Sequence, residues 1–158
     1  MKIVNNWIDV ELANWYKNYF LYGINHSYGH VSNPNAVEFY WALLNEDPTL
    51  GFLLTKIKND FFKNDKTFIV DRCYVNIQHQ GMNGDWHTDD DAKITALWMP
   101  CETNDQGGQF QIKEEEKTLD IPYVFNQLIF FKSDKKHRGL AFTNFKPRVT
   151  LAFKIYTE

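Results

Sequence analysis

Apolar positions along the chain fall into two regimes. From Asp9 to Leu21, Val10, Leu12, Ala13, Tyr16, Tyr19 and Phe20 recur at helical spacing, and Asp9 is placed to cap the first turn. Residues 33–45 repeat the pattern: Asn33 or Asn35 caps, and Val37, Tyr40, Trp41 and Leu44 form a stripe. A third helix is predicted from Asp47 to about Lys63. Pro48 lies in its first turn, and Leu50, Leu53, Leu54, Ile57 and Phe61 make its apolar face. Residues 1–65 therefore read as mainly helical, with one short strand expected between Leu21 and Val31.

After Lys66 the period shortens to two. Strands are predicted at Thr67–Val70, Cys73–Gln78, Ile94–Met99, Gln109–Ile112, Gln127–Phe131 and Val149–Tyr156. Turn-rich loops separate them at residues 81–84, 104–108 and 132–136. The charge run Glu114-Glu115-Glu116-Lys117 reads as a solvated turn between strands. Helices followed by strands predict an α+β fold, with the helices packed on a strand-rich sandwich or barrel. At 158 residues, one domain over 1–158 is the expectation, with residues 66–158 forming the strand-rich part.

Composition narrows the function classes. The formal charge of −3 leaves no cationic excess for tracking phosphates, so no nucleic-acid partner is expected. The hydrophobic content of 44% excludes intrinsic disorder. Aromatic residues reach 16%, enough for a thick core and an aromatic-lined pocket. Cys73 and Cys101 are too few for a disulfide scaffold and suit a reducing compartment. Residues 1–7 hold no long apolar run, and Leu128-Ile129-Phe130-Phe131 is too short to cross a bilayer. The expectation is a soluble cytoplasmic protein with no membrane partner, either a monomer or a weak dimer.

The candidate chemistry gathers around His87. It lies in Gly84-Asp85-Trp86-His87-Thr88-Asp89, just past a predicted strand. On extended backbone, His87 and Asp89 point to one face. His137 follows 50 residues later, after the strand ending near Phe131. Two imidazoles and one carboxylate form the facial triad of non-haem Fe(II) sites, which leaves coordination positions open. Arg148 comes eleven residues after His137 and opens the last strand. By alternation Arg148 and Thr150 share a face, as do Ala152 and Lys154, while Val149, Leu151, Phe153 and Ile155 face the core. A fixed guanidinium beside a hydroxyl suits a buried carboxylate.

The order His87-x-Asp89, His137, Arg148 resembles the Fe(II)/2-oxoglutarate-dependent dioxygenase superfamily, within it the prolyl 4-hydroxylase-like branch and its small single-domain phage and bacterial members. The likeness runs from about Arg72 to Tyr156 and includes Tyr74-Val75-Asn76-Ile77-Gln78, Gly81, Gly107-Gly108, Pro122, His137-Arg138-Gly139-Leu140-Ala141 and Arg148-Val149-Thr150-Leu151-Ala152-Phe153. It implies a double-stranded β-helix, or jelly roll, buttressed by the N-terminal helices. It further implies Fe(II) on His87, Asp89 and His137, with 2-oxoglutarate and dioxygen as cosubstrates. Arg148 would take the distal carboxylate of 2-oxoglutarate, with Thr150 beside it and Thr95 as a contacting hydroxyl. Many members carry Tyr nine or ten residues before the first His; here Gln78 and Ile77 stand there, and Gln78 is the expected replacement donor. The implied activity is hydroxylation of a C–H bond in a peptide or small molecule, prolyl side chains included. Asp89 favours hydroxylation over halogenation, which replaces that carboxylate with a small residue.

Trp86 and Trp98 flank the site strands and are expected to pack in the core or wall the substrate cleft, and Arg72 and Arg138 are candidates to grip substrate at the rim. His26, His30 and His79 read as structural or surface residues, and Asp90 and Asp91 as solvated or turn-capping. Two other functions fit less of the pattern. A nucleic-acid dealkylating oxygenase would place a second Arg where Lys154 stands. A cupin-like metal-binding jelly roll would place a second His at Asp89.

Overall fold

The computed structural model describes residues 1–89 and 92–157; Asp90 and Asp91, expected above to be solvated, lie outside the described residues. The elements in chain order are β1 (Lys2–Val4), α1 (Val10–Asn18), β2 (Ser27–His30), β3 (Phe39–Leu43), α2 (Gly51–Phe61), β4 (Ile69–Gln78), β5 (Ile94–Met99), β6 (Phe110–Glu114), β7 (Lys117–Ile121), β8 (Gln127–Lys132), β9 (His137–Gly139) and β10 (Arg148–Tyr156). Asp89 and its neighbours aside, the strands form a seven-stranded antiparallel sheet, ordered β1-β8-β5-β10-β4-β3-β2, and a three-stranded sheet, β7-β6-β9.

Both helices start where their caps direct. Asp9 accepts hydrogen bonds from the Glu11 and Leu12 amides, and Asp47 accepts from the Thr49 amide ahead of α2. α1 runs on into a π-helical turn at Tyr19–Gly23. The stretch 33–45 departs from expectation: it holds strand β3, not a helix. Its Tyr40, Trp41, Ala42 and Leu43 pair with Ile77, Asn76, Val75 and Tyr74 of β4. Pairing of aromatic residues with an open sheet edge outweighs a stripe that also satisfied helical spacing. With β1 and β2 as well, residues 1–65 are a mixture of two α-helices and three strands and not mainly helical. The two strands predicted between Thr67 and Gln78 are one continuous β4.

Strand parity divides the large sheet into two faces. Cys73, Val75, Ala96, Trp98, Leu151 and Phe153 belong to the buried core, which also receives Tyr16, Phe20, Leu53 and Ile57 from the helical segments. Trp98 is fully buried there, edge-on to Trp7, Tyr16 and Phe20, at centroid distances of 5.6, 5.8 and 6.3 Å. Its indole N–H donates to Asn126 Oδ1. Much of the aromatic content is spent on this helix-facing layer. The opposite face of β4, β5 and β10 looks into a cavity of about 290 Å3. Among the described residues, no helix is long and apolar enough to cross a membrane.

Candidate active site

The site forms where the chain after β4 returns to β9. His87 and His137 make a two-hydrogen-bond antiparallel bridge: His87 N–H donates to His137 O at 3.1 Å, and His137 N–H to His87 O at 2.9 Å. Their rings sit 4.3 Å apart. Asp89 is pinned by its own amide, which donates to Ser133 O at 2.8 Å. The bridge and this anchor bring one ligand atom from each of His87, Asp89 and His137 within 4.8 Å of one another.

The ring nitrogens are assigned by their partners. Nδ1 of His87 lies 2.8 Å from Asp85 O, and Nδ1 of His137 lies 2.8 Å from Lys135 O. A carbonyl only accepts, so each Nδ1 carries the proton and each Nε2 keeps its lone pair. Both Nε2 atoms face Asp89, at 3.9 Å for His87 and 3.5 Å for His137. Burial pulls His137 down to about 4, so its imidazole is neutral at physiological pH. Burial pushes Asp89 up, but Lys154 and His137 outweigh it, and hydrogen bonds from Lys154 and Thr95 add to the lowering. Two imidazole nitrogen donors and one carboxylate, all on one side, fit a divalent metal with open positions.

Arg148 supplies the other end of the cavity. It is fully buried, its Nε donates to Gly108 O at 2.9 Å, and its Nη1 donates to Gln78 Oε1 at 2.7 Å. Its Nη2 is buried with no protein partner, and so is Asn76 Oδ1 on the neighbouring strand. The guanidinium lies over the Tyr123 ring, 5.6 Å from its centroid, and against Gly139. A Cβ on Gly139 would sit 2.8 Å from Nη1, so only glycine leaves the guanidinium this position. Burial draws Arg148 down to about 10, which leaves it protonated at neutral pH. An orphaned buried guanidinium edge costs stability unless an anion completes it. The arrangement therefore fits a carboxylate-bearing group between Arg148 and the triad.

Other sequence-predicted site residues take different places. Thr150 lines the cavity. Gln78 lines it too, but its amide N–H groups go to Met82 O and Gly139 O, so it orients Arg148. Thr95 donates to Asp89 Oδ2 at 2.6 Å, which makes it a partner of the carboxylate. Arg72 lines the cavity mouth. Trp98 does not wall the cleft, because it lies three residues from Thr95 and therefore on the opposite face of β5. Trp86 and Arg138 are not among the cavity-lining residues. Arg138 has the opposite parity to His137, stacks 4.6 Å over the Trp86 ring and donates to Gln111.

No protein-family profile matches the sequence, and no curated protein sequence matches it. Solved structures do match. A prolyl hydroxylase from Trichoplax adhaerens, in complex with a hypoxia-inducible-factor peptide fragment, is 17% identical at a TM-score of 0.79, covering 98% of this chain and 82% of that one. A prolyl-4-hydroxylase from Pseudomonas putida is 14% identical at a TM-score of 0.75, covering 99% and 92%. A viral collagen prolyl hydroxylase from Paramecium bursaria Chlorella virus-1, in a 2-oxoglutarate complex, is 14% identical at a TM-score of 0.69, covering 98% and 94%. The chain has the double-stranded β-helix fold of the 2-oxoglutarate–Fe(II) oxygenases. The large and small sheets are the two walls of that β-helix, and the helices buttress the large one.

Three residues that support the triad and Arg148 escaped the sequence reading. Lys154 forms a buried ion pair with Asp89 and reaches Thr95 Oγ1. Its shared parity with Arg148 was the available signal. Tyr123 beneath Arg148 and Ser133 beside Thr95 come from loops, which carry no period to place them. His30, read as structural or surface, lines the cavity.

Proposed function

We propose that this chain is a non-haem Fe(II)/2-oxoglutarate-dependent hydroxylase acting on a C–H bond of a peptide side chain or small molecule. The carrying observation is the pairing of a three-donor triad with an unpartnered, fully buried guanidinium in one cavity. In this reading His87, Asp89 and His137 hold Fe(II), and Arg148 receives the distal carboxylate of 2-oxoglutarate, with Thr150 beside it. When bound, the iron, 2-oxoglutarate and dioxygen supply the oxidising power: substrate C–H becomes C–OH while 2-oxoglutarate leaves as succinate and carbon dioxide.

The chain's own work is placement. The carbonyls of Asp85 and Lys135 fix both imidazole orientations. Lys154 and Thr95 hold the Asp89 carboxylate ionised and aimed. Gln78 and Gly108 hold Arg148 by two of its nitrogens and leave the third for the cosubstrate. Phe131 and Phe110 pack against His137, at centroid distances of 4.6 and 5.6 Å, and keep water from that side.

The peptide-bound Trichoplax neighbour supports a peptide substrate, with prolyl hydroxylation within its range. The net charge of −3 speaks against nucleic acid. Free, buried Cys73 and Cys101 support a reducing, cytoplasmic setting. A monomer or weak dimer completes the proposal. The test is 2-oxoglutarate turnover: succinate must appear only with both Fe(II) and dioxygen, and the His137→Ala variant must lose it. A wild-type protein that binds metal yet makes no succinate would favour a cupin-like binding role.

A further inference from the structure

Charge inside the cavity is lopsided. Among the described residues lining it, the cations Arg72, Arg148 and Lys154 face one carboxylate, Asp89, in a chain whose net charge is −3. Arg148 is committed to one end, and Lys154 is paired with Asp89. Arg72 is left over. In the sheet register Thr95, Lys154 and Arg72 form one row across β5, β10 and β4, so Arg72 is the lateral neighbour of the pair that holds the triad.

Arg72 is also poorly satisfied. Asp71, the preceding residue, is the one skipped where the β4–β10 register shifts, and it reaches Nε at 3.5 Å. Among the described residues no other ion pair or hydrogen bond engages this guanidinium, so its two terminal nitrogens are open to a ligand. Its side chain is 45% exposed, which puts it at the mouth, where substrate rather than cosubstrate arrives. The walls there are Tyr74 and His30, with His30 stacked on Trp41 at 4.9 Å. Burial lowers the His30 pKa, with the Lys154 and Arg72 cations adding to the effect, which favours its uncharged form as a hydrogen-bonding group of the wall.

We infer that the substrate carries a carboxylate, which Arg72 receives at the cavity mouth while the C–H bond to be hydroxylated reaches the triad. The inference rests on the hydroxylase reading. The planar edge of one guanidinium matches a carboxylate bidentately. The source is a free amino acid or an acidic residue of a peptide, and the two arms of the test separate them.

The test uses the full chain loaded with Mn(II) and the inert 2-oxoglutarate analogue oxalylglycine, so that Arg148 is already occupied. Calorimetry then measures binding of matched pairs. One arm compares proline-centred pentapeptides carrying Glu with their Gln twins; the other compares free L-amino acids with their amides. In at least one arm the acid should bind roughly tenfold or more tighter than its neutral twin. In Arg72→Gln that ratio should fall to near one. Arg72→Lys, which keeps the charge but loses the fork, should retain part of it. If metal or oxalylglycine fails to bind, the hydroxylase reading itself fails. If both bind and acids show no preference in either arm, or nothing in either arm binds, or Arg72→Gln keeps the preference, the carboxylate inference is overturned.

Discussion

Replacing Gly139 by Ala should weaken 2-oxoglutarate binding while sparing the metal. The added Cβ would stand 2.8 Å from Arg148 Nη1 and 3.0 Å from both Cζ and Nη2. Those atoms are the far end of a side chain, so the strand survives and the guanidinium moves. Moving it strains the Nε bond to Gly108 O at 2.9 Å and the Nη1 bond to Gln78 at 2.7 Å, and re-aims Nη2. A hydrogen bond to a charged group contributes about 1.5–3 kcal/mol, so losing one to the cosubstrate raises its Kd roughly tenfold to a hundredfold. Crowding the core adds about 1–3 kcal/mol of destabilisation. The assay is anaerobic calorimetry of 2-oxoglutarate into the Fe(II)-loaded variant, with metal affinity measured separately. An unchanged Kd for 2-oxoglutarate would refute the placement of Arg148 as its anchor.

Further outcomes follow from the same geometry. Asp89→Ala should abolish metal binding and lower stability by about 3–5 kcal/mol in urea unfolding, because it strands Lys154 as a buried cation. His87→Ala, at a more exposed position, should lose the metal with a much smaller stability cost; equal costs for the two would count against the pair. Trp98→Ala should destabilise by about 3–5 kcal/mol yet leave metal and 2-oxoglutarate affinity intact, since the ring packs on Trp7, Tyr16 and Phe20. Burial pushes the Cys101 thiol up to about 12, so almost none of it is thiolate at pH 9. Iodoacetamide at pH 9 should therefore modify Cys101 only after denaturant is added, and rapid native labelling would contradict the burial.

What the sequence made legible depended on strand period. Two-residue alternation made His87 and Asp89 readable as a pair, the order and spacing that resemble the oxygenase superfamily added His137 and Arg148, and the structure brings all four into one cavity. The same alternation applied to Thr95 and Trp98, three residues apart, already separates cavity from core. β3 was not legible, since Val37, Tyr40, Trp41 and Leu44 satisfy helical spacing and only the waiting edge of β4 decides otherwise. The role of Gln78 was hidden for a similar reason. Its partners Met82 O and Gly139 O arrive by a loop and by a strand from the opposite sheet, and no local pattern announces either.

The central claim is that the triad and Arg148 serve one ligand set. Anaerobic calorimetry of 2-oxoglutarate against metal-free protein, Fe(II)-loaded protein and Fe(II)-loaded Arg148→Met measures it most directly. The account predicts one 2-oxoglutarate per chain, bound tightly only when metal is present, and lost in Arg148→Met while the metal stays. Equal binding with and without metal, or unchanged binding in Arg148→Met, would contradict it.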